Sequence, residues 1–377
     1  MKKLFRRNNN SNLWSAAALL ILFTGCSTTG ANNSGSNPMP QGMAGPSAGL
    51  MSYTMHHAMM PNPTERIGGP VTITLTQENG NARWTLPGPR DLDPAVFGTP
   101  SKPLALAKGP FPMVVPLHLR LQKEGKYTIV NHATPFGDWM ESSMGDVNMK
   151  VTDATAIDGM STQDKIDFEA TFKSPDGAHD YRVVAKKPLP HGMIAPTFGG
   201  VVTDHLMHGA TGIGSPLMPT QYVYVSFWAM GQVYVDGKLV NDNQLIHAML
   251  GEMVRGDRAA LQPDSGVGGG GTGGKVLHLM VPPYRVGPKG LEKAPLKTGY
   301  IPFPAIKKRM MEDKQAIMML PPEKKKPAMA RMMAVQKVMM ETKEKAQKAM
   351  AAGRMFGQPF MHIMFGHTSY DVSYNNE

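Results

Sequence analysis

The chain has 377 residues, with 12 His, 32 Met, one Cys and a formal net charge of +10. Its length and its 41% hydrophobic content suffice for a real core and exclude both a disordered chain and a multispanning membrane protein. A single Cys excludes internal disulfides, Cys-pair zinc sites and thioredoxin-like redox motifs, while 32 Met put an uncommon residue level with Pro.

Residues 1–25 read as a secretory signal peptide. Lys2, Lys3, Arg6 and Arg7 supply a basic start, residues 13–23 an apolar run, and Thr24-Gly25 the small residues before a cut. The run is shorter than the ~20 apolar residues of a spanning helix. The stretch Leu22-Phe23-Thr24-Gly25-Cys26 resembles the lipobox of bacterial lipoproteins, with Phe23 in place of the usual aliphatic residue. This resemblance covers residues 1–26. It implies cleavage before Cys26, a diacylglycerol on its sulfur and attachment to the cell envelope. Several acyl chains on one residue hold a membrane stably, where one chain is marginal. Ser27 behind the modified Cys is, in the Gram-negative members of that class, compatible with the outer membrane. Removal of residues 1–25 takes away four cations and no acid, leaving a net charge of +6.

Residues 26–65 are rich in Gly, Ser, Asn and Met and read as a lipid-anchored flexible tether. Residues 66–303 then alternate short β-prone runs with Gly, Pro, Asn and Asp. Strands are expected at 71–76, 82–86, 113–121, 127–131, 147–152, 166–172, 181–185, 201–203, 222–228, 233–235, 238–240 and 276–281. Asp236-Gly237 is the two-residue turn of a type I′ hairpin. The fold expected is mainly β: an antiparallel β-sandwich or barrel-like domain carrying a Met/Lys-rich α-helical insertion near the C-terminus.

That insertion, residues 304–355, holds 13 Lys and Arg against 5 acids and contains 11 of the 32 Met. Its net +8 leaves the rest of the processed chain at −2. Helices are expected at 304–319 and 328–351, separated by Pro321, Pro322 and Pro327. Residues 356–377 return to strands, at 359–365 and 368–374, and complete the β domain. A basic, Met-lined helix suits an anionic lipid surface or an acidic protein. Nucleic acid is not expected, given the envelope address and the acidic remainder.

Four stretches combine His with Met. The first is Met55-His56-His57 with Met59 and Met60, and the second is Asp204-His205-Leu206-Met207-His208. The third runs from Met361 to His367, and the fourth is His278-Leu279-Met280 with His247 and Met249 near it in sequence. Thioether sulfur is a soft ligand suited to Cu(I), and imidazole also binds copper. Exposed thiols oxidise in an envelope compartment, which gives a soft-metal protein reason to use Met instead. The first stretch resembles, in composition alone, the Met- and His-rich tracts of periplasmic copper-handling proteins. The expected metal ligands are therefore Met55, His56, His57, Met59, Met60, His205, Met207 and His208, with copper as the ion. The pairs His278/Met280 and His362/Met364, two apart on strands, read as core.

The function expected is a lipid-anchored, non-enzymatic binding module handling a soft metal such as copper. The alternatives are an interaction lipoprotein docked through its basic helices, and a hydrolase-type enzyme on a 204–214 loop, with His205 as general base and Asp204 or another carboxylate as its orienter. Gly269 to Lys275 approaches a phosphate-binding loop, but Val276 stands where that motif needs Ser or Thr.

Overall fold

The computed structural model describes residues between 64 and 376, apart from 93–119, 131–136, 191–197, 214–217, 257–260, 262–273, 297–299, 353–360, 367–372 and a few single positions and pairs. The strands begin with β1 (Thr64–Glu65), β2 (Val71–Thr76), β3 (Asn81–Thr85), β4 (Pro89–Leu92), β5 (Arg120–Lys123) and β6 (Lys126–Val130). Next come β7 (Met140–Asp153), β8 (Thr155–Ile157), β9 (Lys165–Lys173), β10 (Asp180–Pro188), β11 (Val201–Met207), β12 (Gln221–Val235) and β13 (Lys238–Glu252). After β14 (Lys275–Val281), β15 (Tyr284–Gly287) and β16 (Gly290–Lys293), two helices intervene, α1 (Phe303–Met318) and α2 (Pro322–Ala351). β17 (Met361–Gly366) and β18 (Ser373–Asn376) follow them.

The strands β3, β7, β9, β10, β12, β13, β14 and β17 pair in that order, each antiparallel to the next. β17 then pairs back onto β3, so the sheet closes as an eight-stranded barrel. The other strands extend this wall: β2 lies on β7 and carries β18, β11 lies on β12, and β15–β16 flank β13.

Alternation explains the side facing water. In β9, Ile166, Phe168, Ala170 and Phe172 point inward while Lys165, Asp167, Thr171 and Lys173 are exposed. The interior is packed with side chains, as an eight-stranded barrel allows. Phe168 meets Phe227 edge-on at 5.7 Å, and Trp84 meets Phe172, Tyr181 and Tyr300 at 5.1 to 5.7 Å. The opposite side of the wall behaves differently. From Gln244 to Gly251 in β13, and throughout β17, both faces are buried, and β14 is buried after Lys275. That part of the barrel has a second, outer packed layer.

Several elements differ from sequence expectation for identifiable reasons. The runs 222–228 and 233–235 are one strand, because Gly231, a β-weak residue, lets Ile246 and the Val184 carbonyl close in. β13 continues twelve residues past the expected end at Val240. The polar Asn241-Asp242-Asn243, with Asn243 at φ 51°, looks like a terminus and is instead an irregular passage where the register shifts. β11 runs through Met207, so Asp204, His205 and Leu206 belong to a strand and not to a loop. α2 starts at Pro322, not at 328: a first-position Pro loses no helical bond, and Pro327 is carried inside the helix near its start. Asp236 and Gly237 do adopt positive φ, 50° and 75°, as the type I′ turn requires.

A knot of acids pins β11 to β7 and β8. Asp164 accepts the backbone N–H groups of Ala154, Thr155 and Val201 at 2.8, 2.9 and 2.6 Å. Asp153 accepts from Thr203 at 2.6 Å and from Arg66 at 3.2 Å. Asp158 lies against Asp164 above Gly200, whose φ of 60° and lack of a Cβ leave room for both carboxyls. Burial first, then the neighbouring Asp164, pushes Asp158 up to about 9, and burial pushes Asp153 up to about 6. Asp164 is also raised by burial, but its three backbone donors favour its ionised form, so the proton shared by the pair rests on Asp158.

Two outcomes follow. Gly231→Ala drives a methyl into Ile246 Cδ1 and the Val184 carbonyl, and urea unfolding should show a loss of about 1–3 kcal/mol. Asp158 is protonated in the fold, so its contribution is full below its unfolded value of 3.8 and is lost as pH rises through about 9. Asp158→Asn keeps a donor to Asp164 without that titration. Its stability relative to the parent should rise by up to about 1.4 kcal/mol per pH unit across this window, measured by urea unfolding.

Candidate functional site

The outer layer on β12, β13, β14 and β17 is made largely of His and Met. Strand register sets Ser226 opposite Met249, Met249 opposite His278, and His278 opposite Met364. The next row on the same face runs Trp228, His247, Met280, His362. His and Met thus alternate both along and across the strands. Directly opposed side chains in such a sheet start roughly 5 Å apart at Cβ, so each imidazole has thioethers within reach. Met364 also packs with Met140 and Met253 around Val276.

His278 and His362 stack, with centroids 5.1 Å apart, and Nδ1 of the first lies 2.9 Å from Nε2 of the second. Both rings are about 1% exposed. Nε2 of His278 is buried without a hydrogen-bond partner. Burial holds His278 well below the usual imidazole range, helped by repulsion from His362 and the buried Arg255, so it is neutral. In the tautomer where His278 Nδ1 donates to His362, Nε2 carries a bare lone pair. That is the form in which a second partner orients a metal-ligating imidazole.

His247 repeats the pattern. Its Nδ1 lies 2.8 Å from the Phe227 carbonyl, which can only accept, so the proton sits on Nδ1 and the lone pair on Nε2. Its ring stacks on Trp228 at 4.4 Å, and burial lowers it to about 3.

The sequence-expected second cluster joins this layer. His205 is lowered to about 4 by burial, its Nε2 lies 3.4 Å from Ser226 Oγ, and its Nδ1 has no partner. Met207 is buried, and its sulfur accepts from Ser226 Oγ at 3.6 Å. His208 is buried at φ 68°, starting the turn in which its carbonyl accepts from Thr211. It stands close enough to depress both His247 and His278. Asp204 does not orient His205, because its carboxylate accepts the Tyr222 hydroxyl at 2.9 Å. Ser226 beside His205 has the chemistry of a nucleophile and base, but its oxygen belongs to a fully buried residue and no acid holds His205 Nδ1.

Met55, His56, His57, Met59 and Met60 lie outside the described residues, as do Cys26 and His367. Among the described residues no three His, Asp or Glu side chains converge as a metal site, so an ion in this layer needs thioethers in its ligand set. The pairs read as simple core, His278/Met280 and His362/Met364, stand with His247 and Met249 in the densest part of the cluster. A signal for them exists. The tripeptide His-x-Met occurs at 57, 191, 205, 247, 278 and 362, six of the 12 His, whereas about one is expected from 32 Met in 377 residues. On a strand, residues two apart share a face, so the copies at 205, 247, 278 and 362, all on strands, each set a His and a Met on one face.

Long-range ¹H–¹⁵N correlation spectra should show His247 as the Nδ1-protonated neutral tautomer, with no titration above about pH 4. A ring that protonates near its ordinary value of 6.5 would refute the buried arrangement. No family model, curated protein or solved structure matches this chain, so the layer is interpreted from its own chemistry.

Proposed function

We propose that the protein is a lipid-anchored envelope module, without enzymatic activity, that binds copper(I) in the His/Met layer of its barrel. The observation that carries this reading is Nε2 of His278, buried without a hydrogen-bond partner on a residue whose cross-strand neighbours are Met249 and Met364. A buried polar atom left unpaired costs about 1–3 kcal/mol, a cost that an incoming metal ion would offset. The ligands are neutral, since burial holds His205, His247 and His278 uncharged and thioethers carry no charge. Neutral nitrogen and sulfur donors favour a soft monovalent ion over hard divalent ones, which call for carboxylates. The repeated His-x-Met tripeptide supports the same reading, and its copy at His57 and Met59 places further ligands of the same kind on the tether.

The lipid on Cys26 would hold the module at the membrane, and the absence of other Cys leaves Met as its sulfur ligand.

Anaerobic titration with Cu(I) against a competing chelator tests the proposal. His278→Phe combined with Met364→Leu should remove one equivalent, while far-UV circular dichroism stays that of the barrel. His362→Phe, which takes away the partner of His278, should weaken that equivalent by about 10–100-fold. Replacing His56, His57, Met59 and Met60 separates tether from barrel: an unchanged stoichiometry would assign all binding to the barrel. Full retention of Cu(I) by the His278/Met364 variant would refute the barrel site.

A further inference from the structure

The two helices pack against the end of the barrel through one face. Ile306, Val335 and Met339 are buried with Leu86 and Trp139, and Trp139 Nε1 donates to Asp313 at 3.1 Å. Ile306, near the start of α1, shares its buried cluster with Val335 and Met339 in the middle of α2, while the short turn after Met318 keeps the end of α1 beside the start of α2, so the pair is antiparallel. The face turned to solvent has an unusual composition. Along α1, Lys307, Met311, Lys314 and Met318 are exposed at intervals of four, three and four, which is one stripe of a helix. Along α2, Lys326, Ala330, Met333, Lys337 and Met340 form a second stripe of the same kind. Met319, 87% exposed, stands at the turn that joins the helices.

The second stripe continues into one exposed acid, Glu344, which is paired with Lys348 at 2.6 Å, while the acids beside the first are turned elsewhere. Asp313 is turned to Trp139, and Glu312 is paired with Arg309 at 3.1 Å. Between residues 303 and 340 the exposed charges are Lys307, Lys308, Lys314, Lys324, Lys326 and Lys337 against Glu323 alone. Five exposed thioethers, at Met311, Met318, Met319, Met333 and Met340, are interleaved with these cations.

We propose that this helical hairpin lies on the surface of an anionic phospholipid bilayer, its Met side chains entering the headgroup–acyl boundary and its Lys side chains reaching phosphates. Charge complementarity selects an anionic partner. The apolar atoms between the charges select a lipid boundary over a purely acidic protein, because unbranched thioethers gain by leaving water where the lysines meet the headgroups. The surface is independent of the His/Met layer and of copper.

Methionine oxidation provides a residue-level test. The full-length chain is bound to vesicles of phosphatidylglycerol and phosphatidylcholine in equal parts, or of phosphatidylcholine alone, and treated with dilute peroxide. Mass spectrometry follows sulfoxide formation. On the anionic vesicles Met311, Met318, Met319, Met333 and Met340 should oxidise more slowly, while Met144, 65% exposed on the barrel wall, keeps its rate on both. Each of Lys314→Glu, Lys326→Glu and Lys337→Glu, on the surface of the helices, should weaken the partition behind that protection by about fivefold or more. Equal rates on the two vesicles would overturn the proposal. So would protection by soluble polyglutamate without protection by vesicles, which would assign the surface to an acidic protein.

Discussion

β12 and β13 pair from the Asp236–Gly237 turn outward along nearly their whole length, and this ladder is the axis of the molecule. On its other edge β12 holds β10, and β13 holds β14, so the two strands join the halves of the wall. Closure then abolishes most of the free edges that an open sheet would present. Among the described residues it also makes the interior a packed core, with Phe168, Phe227 and Phe365 fully buried. The His/Met cluster lies on the outside of the wall. There the pleat offers a rigid array of positions, and the chain fills it with imidazoles and thioethers.

The layer is held in a state that water would not permit. A solvated imidazole exchanges its proton near neutral pH, whereas the rings of His205, His247 and His278 are kept neutral by burial. Hydrogen bonds then decide which nitrogen carries the proton. The Phe227 carbonyl fixes one ring, and the stacked partner His362 constrains another. Orientation, tautomer and charge are thus set by backbone and neighbours. The buried carboxyls of Asp153, Asp158 and Asp164 occupy a separate region and serve a different end, tying β11 to the hairpin beside it.

Much of this fold was legible in the sequence. The Asp-Gly turn, the alternation in 166–172 and the dense β-formers of 222–228 identify strands whose side chains segregate by burial alone. The class, antiparallel β with a helical insertion, follows from these. What escaped was decided by contacts distant in sequence. Asn241-Asp242-Asn243 reads as a stop because its residues favour turns, yet pairing with β12 carries the strand through them. Asp204 to Leu206 reads as a loop because it is polar and precedes glycines, yet the edge of β12 recruits it. The His and Met of β13, β14 and β17 read as filler when each strand is taken singly. Their meaning lies in register: only pairing places His278 between Met249 and Met364.

Seven of the eight ladders in the barrel join strands that follow one another in chain order among the barrel strands, but the eighth joins the last, β17, to the first, β3, with Ile363 opposite Trp84. Loop closure over such a span is slow compared with hairpin formation. During synthesis, both β3 and β14 keep one edge unsatisfied until residues 361–366 have been made and both helices have been spooled out ahead of them. An incomplete chain is thus an open sheet with two adhesive borders and a row of hydrophobic side chains between them, the form most prone to aggregate. Addition of the last barrel strand, β17, removes both borders at once.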